Sequence, residues 1–254
     1  MAAKPLGGWR VLVPRGGKWG DGVAATLRSL GATPVIAPMI NFASADDGAD
    51  LANALHELKD GQYDWLVVTS ATTVEVFLGQ KIDIPPHTKV AAVGETTAAA
   101  LTLAGYRTDF VPVGDNSARG LVREWPGAAG RGRVLVAQSD VTEPNLAAGM
   151  AELGLDVRFV VAYRTVGVAV TEEIRADVAS GRIGAILVSS GSVARQIAGQ
   201  LAPLPPTTVV ACIGPRTAFD ARASGLVVNA IAEQRSSESL VAALAEFAVK
   251  RTEV

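Results

Sequence analysis

The chain writes one strand-to-helix junction twice. Val67-Val68-Thr69-Ser70-Ala71-Thr72-Thr73-Val74 returns as Leu187-Val188-Ser189-Ser190-Gly191-Ser192-Val193, with Ser70 and Ser190 standing 120 residues apart. The next junction repeats at the same offset: Val90-Ala91-Ala92-Val93-Gly94-Glu95-Thr96-Thr97-Ala98 answers to Val210-Ala211-Cys212-Ile213-Gly214-Pro215-Arg216-Thr217-Ala218, and Gly105 answers to Gly225. Ser117 and Ser236 follow at an offset of 119, while Val11-Leu12-Val13 and Val134-Leu135-Val136 stand 123 apart. A near-constant offset across several elements indicates one duplicated α/β unit. The rest of the chain must fold around that pair.

Two copies of about 120 residues fit the usual domain size. With 49% hydrophobic and 19% charged residues, each can bury a core without a covalent staple. The single cysteine, Cys212, rules out an internal disulfide, suits a reducing compartment, and lies in an apolar run that predicts a buried thiol. A net charge of −2 offers no broad basic face, so nucleic acid is not an expected partner. Met1 to Trp9 lacks the apolar centre of a signal peptide, and no apolar run reaches the ~20 residues of a membrane span. The expectation is a cytoplasmic protein without a membrane partner.

Taken in order, Arg10–Pro14 reads as a buried strand, Arg15 to Gly20 as a glycine-rich loop, and Val23–Leu30 as a helix closed by Gly31. Thr33–Phe42 is extended but interrupted by Pro34 and Pro38, which suits an edge or a connector. Helix and strand then alternate from Asp50 to Glu124, Pro126–Gly132 is the most linker-like segment, and Arg133–Ala137 opens the second copy. Val157–Val168 is a second long extended run. Apolar strands alternating with helices predict parallel sheets, whose ligands sit beyond the carboxyl ends of the strands. Arg15, Ser70, Gly94, Gln138, Ser190 and Gly214 fall at those ends, as lips of one expected cleft.

Each candidate has a plain structural use as well as a chemical one. Ser70 and Ser190 suit N-caps, and the amides behind them, at Ala71 and Gly191, suit an anion. Capping and anion binding are compatible. Gly94 and Gly214 allow close backbone approach, and Thr97 and Thr217 fall in the first turn of the following helices. Gly20-Asp21-Gly22-Val23-Ala24-Ala25 matches the dinucleotide fingerprint in form, but it lies too far past its strand and no acidic residue ends the next one. His56 and His87 are the only histidines, and neither falls at a strand end, which argues against a nucleophile triad and against a metal site. Tyr163 suits half-buried packing, yet it stands where an extended run leaves its pattern, so its phenol can also face the cleft.

Val11-Leu12-Val13-Pro14-Arg15, the paired junctions, Ala162-Tyr163-Arg164-Thr165 and Ile213-Gly214-Pro215-Arg216-Thr217-Ala218 together resemble the uroporphyrinogen-III synthase family along essentially the whole chain. The resemblance implies an α/β fold of two similar domains, each a flavodoxin-like parallel sheet flanked by helices, joined by a two-stranded connector made of Thr33–Phe42 and Val157–Val168. Domain one is then expected at 1–37 plus 168–254 and domain two at 43–161, with linkers near 38–42 and 162–167. The implied reaction closes the linear tetrapyrrole hydroxymethylbilane to uroporphyrinogen III, inverting ring D and losing water, with no metal or organic cofactor. Tyr163 is the implied catalytic residue. Arg15, Ser70, Ala71, Thr97, Ser190, Gly191, Arg216 and Thr217 are the implied substrate-binding residues. Gln138-Ser139-Asp140 departs from the glycine-rich, arginine-containing loop of many relatives, and Ser190-Gly191-Ser192 departs from commoner Ser-Pro forms.

A monomer is expected, and transient contact with the enzyme that supplies the substrate stays open. So does a reading from another class. A non-catalytic two-lobed binding or regulatory protein for a polycarboxylate would use the same ligand-holding residues, although no effector segment is visible beside them.

Overall fold

A computed structural model describes residues 4–126, 132–141 and 144–252, so most of the linker-like stretch 126–132 lies outside the described residues. The chain divides into two units, Met1–Asn41 with Val166–Val254, and Phe42–Thr165.

The first unit contains β1 (Arg10–Val13), α1 (Gly17–Ser29), β2 (Thr33–Ile36) and, after the chain has passed through the second unit, α7 (Glu172–Ala179), β8 (Ala185–Val188), α8 (Gly191–Leu201), β9 (Val209–Cys212), α9 (Pro215–Ala223), β10 (Ala230–Ile231) and α10 (Ser237–Thr252). The second contains α2 (Gly48–Lys59), β4 (Trp65–Val68), α3 (Ala71–Gln80), β5 (Lys89–Ala92), α4 (Glu95–Leu103), α5 (Ala118–Arg123), β6 (Arg133–Ser139), α6 (Pro144–Glu152) and most of β7 (Asp156–Gly167). The strand β3 (Ile40–Ser44) lies on the outer edge of its sheet, beside β7.

The first sheet runs β10-β9-β8-β1-β2 and the second β3-β7-β6-β4-β5. Read from its β2 edge, the first has the doubly wound order in which the chain starts one strand in, turns outward once, then builds the other way. The second sheet follows the same order from β7, with β6 and β7 answering to β1 and β2. A parallel bridge at Ala91 and Phe110 stands where Ala211 pairs with Ala230 in β10. The duplicated unit is therefore complete in both sheets, but in the second it is permuted in chain order.

The repetition reaches single hydrogen bonds. Thr88 Oγ1 donates to the Tyr63 carbonyl at 2.8 Å, and Thr208 Oγ1 to the Ile183 carbonyl at 3.2 Å. Asp109 accepts from the Val90 amide at 2.7 Å, as Asn229 does from the Val210 amide at 2.8 Å. These buried and part-buried bonds tie each strand start to its neighbour, where an unpaired group would be costly.

Central strands are buried on both faces, as parallel sheets covered by helices must be. In the first unit Val11, Val13, Leu187, Val209 and Ala211 pack on Val23 and Leu27 of α1 and on Leu240, Val241 and Leu244 of α10. Alternate residues, including Leu12, Ile186, Val210 and Cys212, are buried on the opposite face. Burial raises the Cys212 thiol to about 12, which makes it an inert core group. In the second unit Leu66, Val68, Val90, Ala92 and Leu135 face one cluster with Phe77 and Leu101, while Val67, Ala91, Val134 and Val136 face another with Leu121, Leu146 and Met150.

Two local expectations are corrected. Only the second half of Thr33–Phe42 belongs to the expected connector: Thr33–Ile36 pairs in parallel with β1, whereas Ile40–Ser44 lies beside β7, with the Val168 amide donating to the Met39 carbonyl at 2.9 Å. Pro38 sits in the break between them. The supposed glycine-rich loop is in fact the start of α1, which begins at Gly17. Gly20 is required there for packing, because a Cβ would collide with the Arg15 carbonyl.

Candidate active site

At the carboxyl end of β4, Ser70 ends the extended backbone and caps α3, accepting from the Thr73 amide at 3.2 Å. Its Oγ also lies 3.1 Å from Thr73 Oγ1 and 3.0 Å from the phenol oxygen of Tyr163. The sequence-level candidates Ser70 and Tyr163, separated by 93 residues, are therefore in direct contact.

Tyr163 reaches Ser70 because β7 is irregular. Gln138 pairs with Val161 but Ser139 pairs with Tyr163, so one residue of β7 is left over. Regular alternation would send Ala162 and Tyr163 to opposite faces. With the bulge, both lie against the same core cluster. Asp140 holds this turn of the strand: its amide donates to the Tyr163 carbonyl at 3.0 Å, and its carboxylate accepts from the Thr165 amide at 2.9 Å. The departure at Gln138-Ser139-Asp140 thus has a backbone-holding use. Phe42 meets the Tyr163 ring edge-on at 5.3 Å, and the ring is 8% exposed. Tyr163 lines a recess of about 340 Å³ with Phe42, Ser44, Thr72 and Glu75.

Ala71 is the first residue of α3. Thr97 lies in the first turn of α4 after the Gly94 cap and is buried, at 6% exposure. No hydrogen bond to its hydroxyl, from Tyr163 or any other group, occurs among the described residues.

In the first unit Ser190 caps α8 by accepting from the Val193 amide at 3.3 Å. Gly191 opens that helix, and a Cβ there would collide with Asp220 Oδ2. Asp220 is paired with Arg216, Nε to Oδ1 at 3.3 Å, one turn apart on α9. Gly191, Arg216 and Asp220 thus form one cluster. Thr217 is 4% exposed and, like Thr97, its hydroxyl has no partner among the described residues. Arg15 follows β1 and stacks over the Trp19 ring at 5.4 Å.

Four participants were missed in the sequence: Thr73, Phe42, Asp140 and Asp220. Two had a local signal, since Thr73 stands three residues after a capping serine and Asp220 stands four after Arg216 on one helix face. Phe42 and Asp140 depend on strand pairing. Of the two histidines, His56 sits near Asp60 at 3.5 Å and His87 near the Gly61 carbonyl at 3.2 Å, away from the strand ends that carry these residues.

Comparison with known proteins gives a consistent result. Residues 21–242 match the family described as "Uroporphyrinogen-III synthase HemD". A porphyrin biosynthesis protein HemD from Ruminiclostridium josui is 24% identical, over 96% of this chain and 49% of its own length. The chain thus spans about half the length of the curated relative it matches. Its fold is similar to a crystal structure of a mutant uroporphyrinogen III synthase from Thermus thermophilus, at TM-score 0.66 and 19% identity, covering 96% of this chain and 99% of that one. It is similar too to uroporphyrinogen-III synthetase from Helicobacter pylori, at TM-score 0.63 and 16% identity, with 96% and 99% covered. The match to the family runs through both copies of the repeat, and the chain belongs to the uroporphyrinogen-III synthase family.

Proposed function

We propose that this chain is a uroporphyrinogen-III synthase of porphyrin biosynthesis, acting in the cytoplasm. It closes hydroxymethylbilane to uroporphyrinogen III with inversion of ring D and loss of water, and draws on no cofactor. Family membership over residues 21–242 is the observation that carries the reading.

The site residues supply a physical account. The substrate is a polycarboxylate and the protein has a net charge of −2, so attraction has to be local. The starts of α3 and α4 in one unit, and of α8 and α9 in the other, offer backbone amides and the positive ends of helix dipoles. Ser70, Ala71 and Thr97 serve the first pair, and Ser190, Gly191 and Thr217 the second. Arg15 and Arg216 add charge-assisted donors. The Thr97 and Thr217 hydroxyls support this role: the residues are largely buried, yet nothing among the described residues hydrogen-bonds to those oxygens.

Hydroxymethylbilane also closes unaided, to the isomer without inversion. Selection therefore calls for orientation more than for a strong acid or base. Tyr163 is the group assigned to the departing hydroxyl, as a hydrogen-bond donor that assists its loss as water.

The test is an isomer assay, with hydroxymethylbilane generated in place and the oxidised products separated as uroporphyrins I and III. Isomer III appearing only with the protein is the expected result. An unchanged excess of isomer I with folded protein would leave polycarboxylate binding without catalysis as the better account.

A further inference from the structure

We infer that Thr73 and Ser70 are positioning residues that set the direction of the Tyr163 proton. The inference rests on the assignment of Tyr163 as the donor to the departing hydroxyl. Three groups surround Ser70 Oγ: the Thr73 amide at 3.2 Å, Thr73 Oγ1 at 3.1 Å and the Tyr163 phenol at 3.0 Å. A serine hydroxyl has one proton and two lone pairs. The amide can only donate, so it takes one lone pair. One lone pair and one proton are left for two hydroxyl partners, and two arrangements satisfy that count.

In the first, Tyr163 donates to Ser70 and Ser70 donates to Thr73. The Thr73 proton then has no acceptor, because Ser70 Oγ is the only partner of Thr73 Oγ1 among the described residues. Thr73 is 0% exposed, so no solvent relieves it. A buried unsatisfied donor carries its full desolvation cost. In the second, Thr73 donates to Ser70 and Ser70 donates to Tyr163. Every proton inside the protein is then used, and the phenol accepts one bond while its own proton is directed away from Ser70. A hydroxyl that accepts a bond is a stronger donor to its next partner. The second arrangement is therefore the stable one and also the one suited to the departing hydroxyl.

The other copy of the repeat supplies a control for folding. Val193 occupies the position of Thr73, and Ser190 still caps α8 through the Val193 amide at 3.3 Å. Thr73→Val should therefore keep the Ser70 cap and cut only the relay. Thr73→Val is expected to lower kcat about tenfold with KM unchanged, Thr73→Ser to recover it, and Thr73→Val to cost nothing further in a Tyr163→Phe background. Wild-type kcat in Thr73→Val, or an equal loss in both backgrounds, would overturn the relay. A readout free of catalysis is the nuclear magnetic resonance signal of isotopically labelled tyrosine Cζ. Thr73→Val should move the Tyr163 signal and leave those of Tyr63 and Tyr106 in place. An unmoved Tyr163 signal would overturn the relay even if the wild type proved inactive, whereas inactivity alone would overturn only the assigned reaction.

Discussion

The two capped helix starts, α3 in one unit and α8 in the other, are the same junction in sequence but have different neighbours. Both use a serine to accept the amide three residues on, at 3.2 Å for Ser70 and 3.3 Å for Ser190. Around Ser70 the neighbours are hydroxyls, from Thr73 and Tyr163. Around Ser190 the position of Thr73 is Val193, and the neighbouring helix carries the Arg216–Asp220 pair. At the repeat-equivalent positions, α4 has Thr96 and Ala100. The first helix residue differs too: Ala71 belongs to the copy with Ala100 at the position of Asp220, and Gly191 stands where Asp220 takes the space. A cap that depends only on a short stretch of chain survives duplication. The neighbours can then diverge, to hydroxyls in one copy and to an ion pair in the other.

The largest expected effect breaks that division on the hydroxyl side. Tyr163→Phe keeps the edge-on contact with Phe42 and removes the phenol that meets Ser70, so kcat for isomer III should fall about a hundredfold while the melting temperature holds. Unchanged turnover would remove Tyr163 from the chemistry. Next come the equivalent threonines of the two units. Thr97→Val and Thr217→Val conserve shape at buried positions, so each should raise KM about tenfold, if a charge-assisted bond is lost, with little change in kcat. An effect from one alone would show that only one copy holds the substrate at that junction.

A smaller effect tests the difference at Gly191. Gly191→Ala should cost about 1 kcal/mol, read as a melting temperature lower by about 2–4 °C, and Asp220→Ala in the same chain should restore it by removing the carboxylate that the new methyl group meets. Failure of the second change to rescue would mean that Asp220 is not what excludes the methyl group.

The smallest effect concerns acid stability in the second unit. The Tyr63 hydroxyl donates to Glu57 at 2.6 Å and Arg158 pairs with it at 2.6 Å, and these bonds hold the Glu57 carboxyl below its ordinary value. A carboxyl lowered on folding contributes stability that is full above the unfolded value of about 4.3 and is lost as pH falls through the folded one. Glu57→Gln should therefore flatten the decline of melting temperature below about pH 4. An identical acid limb in the variant would place the decline elsewhere, with Asp177, lowered by Arg182 and Arg10, as the candidate in the first unit.

Much of this protein was legible because much of it is local. The offset of 120 residues identified a duplicated α/β unit, since strands and helices follow from apolar period and turn residues. It placed Ser70, Ser190, Thr97 and Thr217 at helix starts, and the caps are there because a cap joins residues three apart. Cys212 was assigned to the core from its apolar run, and it is fully buried.

Tertiary structure decided the rest, and each case needed a partner distant in sequence. The split of Thr33–Phe42 into β2 and β3 depends on which sheet offers an unpaired edge to each half. The contact between Tyr163 and Ser70 depends on a bulge opposite Ser139, and pairing register is not written in either strand alone. Sequence determined what each junction is made of. Only the fold determined that one of them meets a tyrosine, because a hydrogen bond across 93 residues is fixed by the position of β7, not by the order of the chain.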